Sequence, residues 1–413
     1  MAPARAAARW APMAEVHRPT SDRPADRPAD QTSNQASEQT SEQASGRPAG
    51  TSERSALLER AGTYRLAAEL FAREPDAELL ALASTVPALA AHATPRAAAR
   101  YTHVFVLNAY PFASVYLDAD GGIEGEHAGF TRGVLEALGL RVEPGTAADH
   151  IAVQLDALAA LVEREADAND AADAADAGDP AGRAAARARH AQRALLGEHL
   201  LPWAPLFLDA VARVDEGLFR AMAGSTRDTL VAHAATLLGG ASARPPASGP
   251  DPRDEARENT TDSTTDSTTD AASGRAPERY PAGIPDDGEA HHSTVDRLSV
   301  PARGGLFLCR ADLARLGGAL GLPLRFGGRR FMLEGLAQAA VQQGASEALT
   351  GALADVVRER RRRLEGWAHD LPDLAPLWQP RLERLDATLA ALDAPTGAGP
   401  ELAPQAPSPV GAH

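Results

Sequence analysis

The stretch Ser55-Ala-Leu-Leu-Glu-Arg-Ala-Gly-Thr-Tyr-Arg-Leu-Ala-Ala-Glu-Leu-Phe71 decides the fold class of this 413-residue chain. Its apolar side chains recur at alternating intervals of four and three residues, which places them on one face of a helix: Leu57, Ala61, Tyr64, Ala68 and Phe71. The same period returns in later segments, and no segment alternates with the period of two that is typical of a half-buried strand. The sequence therefore predicts an all-α fold.

Composition separates regions that can form a core from regions that cannot. Several segments consist mainly of small and polar residues with short repeats, and such segments bury too little apolar surface to offset the entropy of the chain. The predicted disordered segments are therefore an N-terminal tail, 1–54, a central linker, 241–298, and a C-terminal tail, 394–413. A helical bundle core is predicted for 55–240 and a C-terminal helical region for 299–393.

Charge and cysteine usage exclude several classes of function. Residues 55–240 hold 15 arginines against 25 Asp and Glu residues, so this region should repel nucleic acid and favour a cationic partner. The single cysteine, Cys309, excludes an internal disulfide framework and a cysteine-based metal cluster. We expect no membrane span, because no run of 18 apolar residues occurs, and no export signal; both expectations favour a cytoplasmic protein.

The sequence contains little that indicates an enzyme. The histidines outside the predicted linker are scattered without the i,i+4 pairing of metal-binding helices, and no lysine is present to complete a phosphate-binding loop. Ser114 has no base at a readable spacing. We therefore predict a protein without catalytic residues, metal or cofactor.

Three short blocks stand out from the Ala- and Leu-rich background: Tyr110-Pro-Phe-Ala-Ser-Val-Tyr-Leu-Asp118, Ala148-Asp-His-Ile-Ala-Val-Gln-Leu-Asp156 and Glu198-His-Leu-Leu-Pro-Trp203. Asp149 either satisfies free amides in the first turn of a helix, with His150 beside it, or holds the arginines of a peptide together with His150. The aromatic residues of the first block are either core anchors or an apolar wall for a peptide, and Trp203 is typical of packing at a helix start.

The order of these blocks resembles the TorD/DmsD-type maturation chaperones of molybdenum redox enzymes, over roughly residues 55–240. The matching positions are Pro111, Ser114 and Tyr116 in the first block, Asp149, His150, Leu155 and Asp156 in the second, and His199, Leu200, Pro202 and Trp203 in the third. Three departures are evident. Asn108-Ala109 replaces the usual Gly-Pro, Gln154 replaces the usual Glu, and residues 299–393 extend beyond a simple family member.

The resemblance implies an all-helical, cytoplasmic, non-catalytic chaperone. Its partner would be the catalytic subunit of a molybdopterin-dependent oxidoreductase, bound through its twin-arginine signal peptide and as apoprotein until the cofactor is inserted, before export. The implied peptide-binding residues are Tyr110, Pro111, Ser114, Tyr116, Asp149, His150, Asp156, His199 and Trp203.

A second hypothesis is a non-catalytic helical scaffold or regulatory protein. Its basis is the run of arginines at 358 and 360–363, which is either a solvated helix face paired with neighbouring acids or a site for an acidic partner. A nucleotide hydrolase is a third possibility, which the missing phosphate-binding loop disfavours.

Overall fold

The computed structural model describes residues 49–174, 180–239 and 294–394, and in these ranges the fold is all-α as predicted. Outside the helices, the described residues contain a single isolated β-bridge, between Phe112 and His150. The helices of the first part of the chain are α1 (Ala49–Ala72), α2 (Ala77–Ser84), α3 (Pro87–Ala90), α4 (Arg96–Tyr101), α5 (Ala113–Leu117), α6 (Glu126–Ala137), α7 (Ile151–Ala174), α8 (Pro180–Ala194), α9 (Ala204–Val214) and α10 (Leu218–Gly239). Single π-helical turns extend α4 over Thr102–Val106 and α8 over Leu195–Leu200.

Six further helices follow in the last described range. They are α11 (Thr294–Ser299), α12 (Pro301–Gly304), α13 (Arg310–Ala319), α14 (Arg329–Gln343), α15 (Ser346–Asp370) and α16 (Ala375–Asp393), with a 3-10 turn at Pro372–Leu374. Within the described ranges, no helix is both long and apolar enough to cross a bilayer.

Two boundaries of the predicted disordered segments need correction. Helix α1 begins at Ala49, inside the predicted N-terminal tail, and α11 begins at Thr294, inside the predicted linker. Contacts with other helices hold both starts: Glu53 and Arg54 of α1 form ion pairs with α8 and α7, and Val295 in the first turn of α11 is buried. The rest of the predicted tails and linker lies outside the described residues.

The two longest helices of the first part of the chain, α1 and α7, pack against each other along their lengths. Helix α7 also contacts α8, and α1 also contacts α10. The apolar face predicted for α1 is buried along its whole length, and Ile151, Leu155 and Leu158 of α7 are buried opposite. Burying such side chains is the dominant favourable contribution to folding, about 1.5–3 kcal/mol for each large one. The period of the sequence therefore predicted the faces that meet.

A buried polar network connects four helices at the centre of this bundle. His233 of α10 lies 3.0 Å (Nδ1) from the Tyr64 hydroxyl and 2.8 Å (Nε2) from Gln192 Oε1. Gln192 in turn donates to Glu165 at 2.8 Å. Because each member has a partner, the network fixes the register of α1, α7, α8 and α10.

The C-terminal helices complete the same core. The Trp378 indole donates from Nε1 to the Leu201 carbonyl at 2.9 Å, and Arg381 donates to the Tyr116 carbonyl at 3.2 Å. The short apolar run Leu306–Cys309 is a buried non-helical segment that packs against the first part of the chain. Gly305 precedes it with φ 79°, and a Cβ there would lie 2.7 Å from the Arg381 carbonyl oxygen, so the close approach of α16 requires glycine.

Candidate functional site

The structure brings the first two sequence blocks together. Phe112 and His150 form the isolated antiparallel bridge, in which the Ala113 amide donates to the Asp149 carbonyl at 3.0 Å. The Ile151 amide donates to the Pro111 carbonyl at 2.8 Å. The loop before α5 and the loop before α7 are thus held side by side by their backbones.

Asp149 fastens these loops from inside the protein. Its side chain is fully buried, and Oδ2 accepts a hydrogen bond of 3.0 Å from the Ser114 amide in the first turn of α5. A carboxylate at a helix N-terminus satisfies free amides and interacts favourably with the helix dipole. Asp149 therefore caps α5, whereas the sequence suggested that it caps its own helix, α7.

His150 supplies the cap of α7. Its Nδ1 accepts a hydrogen bond of 3.1 Å from the Ala152 amide, so the neutral ring carries its proton on Nε2. Burial lowers the pKa of His150 to about 4. At neutral pH this partly exposed ring is an uncharged hydrogen-bond donor, suited to a peptide carbonyl rather than to an arginine.

The aromatic residues of the blocks form a buried cluster. Tyr116 has no exposed surface, and its ring centroid lies 5.5 Å from that of Trp203 and 4.8 Å from that of Phe307. Burial also raises the pKa of the Tyr116 phenol far above its usual range. Tyr116 and Trp203 are therefore core residues in this structure.

Tyr110 remains at the surface, next to a residue from the C-terminal region. The guanidinium of Arg329, at the start of α14, lies 5.9 Å from the Tyr110 ring centroid and 4.4 Å from that of Phe307. Phe307 and Arg329 thus cover the aromatic cluster from a part of the chain about 200 residues away. Sequence reasoning missed both; the only signal was the apolar run Leu306–Cys309.

The two remaining candidates lie elsewhere. His199 is buried with its ring 5.1 Å from that of Phe130, and burial, with a smaller contribution from the charge of His127, lowers its pKa to about 4. Asp156, on α7, is partly exposed and accepts from Arg65 at 2.7 Å.

Only part of the predicted peptide-binding set is accessible. Partly exposed are Tyr110, His150 and Asp156, and buried are Pro111, Ser114, Tyr116, Asp149, His199 and Trp203. The buried residues shape the two loops, and direct contact between them and a peptide would require a rearrangement. In the described ranges, no group of three or more His, Cys, Asp or Glu side chains is placed to hold a metal ion.

Comparison with known proteins identifies the region that carries this geometry. A model of the family described as nitrate reductase delta subunit matches residues 69–209, which include all three sequence blocks. The chain is also 35% identical over 119 residues to the chaperone protein TorD of Vibrio cholerae serotype O1, in both a Classical Ogawa and an El Tor Inaba strain. Residues 69–209, the TorD-family region of this chain, are thus similar to the TorD family.

The extent of this similarity is limited. The aligned residues are 28% of this chain and 49% of each TorD, so the chain spans about half the length of the curated relatives it matches. No solved structure matches the chain significantly. The C-terminal helices lie beyond the TorD-family region, although they share its core.

Three histidines in the first part of the chain predict a specific pH dependence. Burial lowers the folded-state pKa of His150 and His199 to about 4 and that of His233 to about 3, against about 6.5 in an unfolded chain. The unfolded state therefore binds more protons than the folded state below about pH 6.5. The contribution of these neutral histidines to the free energy of unfolding is fully present above about pH 6.5 and is lost as the pH falls towards 4.

A His199→Phe variant isolates one of these groups. In urea denaturation between pH 7 and pH 4.5, we expect its free energy of unfolding to fall less steeply than that of the wild type, by about one proton, or about 1.4 kcal/mol per pH unit. His92→Phe, at an exposed histidine, is the control and should leave the slope unchanged. Equal slopes for wild type and His199→Phe would contradict the assignment.

Proposed function

We propose that this protein is a cytoplasmic, non-catalytic chaperone of a molybdopterin-dependent oxidoreductase. In this proposal it binds the twin-arginine signal peptide and the apoprotein of the catalytic subunit until the cofactor is inserted. The observation that carries the proposal is the TorD-family match over 69–209, which contains the three blocks in order. The name of these relatives, chaperone protein TorD, supports the same role.

The accessible residues suggest how a dibasic peptide would be held. Asp156 and Glu163 share one arginine, Arg65, at 2.7 Å each, which leaves one negative charge in excess on this face of α7. Burial raises the pKa of Asp156, with a further contribution from the charge of Glu163, so a second cation would stabilise its ionised form. We therefore assign the peptide arginine to Asp156 and Glu163.

The exposed parts of the two loops would contact the rest of the peptide. His150 offers Nε2–H to a backbone carbonyl, and Tyr110 offers an aromatic surface for an apolar side chain. The affinity would come from apolar burial and arginine–carboxylate pairs, and no bond is made or broken.

The alternative, a scaffold that binds an acidic partner through the C-terminal arginines, receives less support. On the outer side of α15, Arg358 pairs with Asp355 and Asp393, and Arg361 pairs with Glu365 and Asp386. An acidic surface would have to displace these internal carboxylates, which reduces the net gain from binding.

A maturation assay tests the proposed function. A molybdopterin-dependent oxidoreductase from the same genome would be produced in a host without its own chaperone for it, with and without this protein, and the molybdenum content of the purified enzyme measured. We expect the protein to raise the fraction of cofactor-loaded enzyme several-fold. If a chaperone known to serve that oxidoreductase restores loading and this protein does not, the proposal is wrong for that client.

A further inference from the structure

A cleft of about 700 Å³ opens between α9, α13 and α15, away from the loops of the candidate peptide site. Five arginines line it: Arg213, Arg220, Arg315, Arg360 and Arg363. The volume falls within the range of small-molecule sites in proteins, about 300–1,000 Å³. The cleft therefore has the size of a metabolite site and a lining rich in cationic side chains.

Carboxylates inside the cluster compensate only part of this charge. Asp312 is nearly fully buried and accepts from Arg213 at 3.2 Å and from Arg360 at 3.4 Å, and it also contacts Arg315. Asp209 pairs with Arg213 and Arg363.

Glu359 supplies the third carboxylate of the cleft, paired with Arg363 at 2.8 Å and with Arg362 at 2.7 Å. Arg220 donates to the Ala212 carbonyl at 2.8 Å. The five lining guanidinium groups thus face three carboxylates, one of which is shared with Arg362, so these groups carry an excess of at least two positive charges.

Part of this charge is held inside the protein. The side chains of Arg360 and Arg213 are 10% and 6% exposed, and they share the same carboxylates. Burial, together with the neighbouring charge of Arg213, lowers the pKa of Arg360 to about 9. Arg360 Nε is buried without a hydrogen-bond partner in the described part of the chain, its contact with Asp209 being 3.7 Å long. Because a buried donor without a partner is unfavourable, an anion that accepts from Arg360 Nε would stabilise this arrangement.

We propose that this cleft binds a small organic phosphate with at least two negative charges. Guanidinium groups bind phosphate oxygens by paired, charge-assisted hydrogen bonds, and the excess of two positive charges matches a dianionic group. The recessed arginines favour a small ligand over a protein surface. The site joins α9 of the TorD-family region to α13 and α15, so an occupant would also brace the two parts of the chain.

Isothermal titration of the full chain with inorganic pyrophosphate, at constant ionic strength, tests this proposal. We expect saturable binding at one site per chain. The variant Arg220→Gln with Arg315→Gln removes two of the exposed cleft arginines and should lower the affinity at least about 10-fold, because each lost charge-assisted contact is worth about that factor or more. Arg358→Gln, a similarly exposed position on α15 outside the cleft, is the matched control and should bind as the wild type does.

A thermal melt at matched ionic strength provides a second readout. Pyrophosphate should raise the melting temperature of the wild type and of Arg358→Gln, and chloride at the same ionic strength should not.

Absence of saturable heat in the titration of the wild type, or equal affinity of the wild type and the double variant, would overturn the proposal. An acidic peptide that binds where pyrophosphate does not would instead assign the cleft to a protein partner. Signal-peptide binding should be the same in all variants, so this result stands apart from that on the chaperone function.

Discussion

Replacing Trp378 by alanine is expected to lower the free energy of unfolding by about 3–5 kcal/mol, the range found when a buried tryptophan is truncated. Trp378 has no exposed surface, and its indole donates at 2.9 Å to the Leu201 carbonyl, at the end of the π-helical turn that follows α8. Its ring also packs against Trp367, with centroids 6.2 Å apart. The substitution leaves a cavity where the C-terminal helices meet the TorD-family region, and an unpaired carbonyl beside it.

Guanidinium denaturation followed by circular dichroism measures this loss. Phe326→Ala is the control, because Phe326 is 93% exposed and its truncation should change stability by less than about 0.5 kcal/mol. If the C-terminal helices and the TorD-family region form one cooperative unit, both should unfold in a single transition in wild type and variant. A loss below about 1 kcal/mol, or a separate early transition that leaves half of the helical signal intact, would contradict the shared core.

The predictable parts of the fold are the helices whose apolar residues recur with a regular local period. The faces of α1 and α7 follow from apolar residues three and four positions apart, and each lies in the core. Helix starts were less predictable, because contacts with distant helices hold them: ion pairs of Glu53 and Arg54 near the start of α1, and burial of Thr294 at the start of α11.

The sequence predicted which residues belong to the site but not how they contact each other. The sequence singled out Asp149 and Ser114, yet not that the carboxylate of one accepts the amide of the other across 35 positions. Likewise, Arg329 and Phe307 cover the aromatic cluster from the far end of the chain. Such contacts are set by the packing of distant helices, for which a single sequence carries no local signal.

The same distinction explains which residues should affect client binding. Asp149→Ala should act on stability, because a buried charge-assisted hydrogen bond to the Ser114 amide is lost, with a cost of about 1.5–3 kcal/mol. Asp156→Asn should act on binding, because Asp156 is partly exposed and already pairs with one arginine.

Calorimetric titration with the twin-arginine signal peptide of the oxidoreductase tests the central claim most directly. We expect saturable binding to the wild type, and a loss of affinity of about 10- to 150-fold when both peptide arginines are replaced by glutamine, because charge-assisted contacts worth about 1.5–3 kcal/mol disappear.

Asp156→Asn should weaken binding of the natural peptide and have a smaller effect on the glutamine peptide. Asp228→Asn, an exposed acid on α10, is the control. The difference between the two peptides should shrink as salt rises. Equal affinity of the wild type for both peptides, or no binding of either, would contradict the proposed chaperone function.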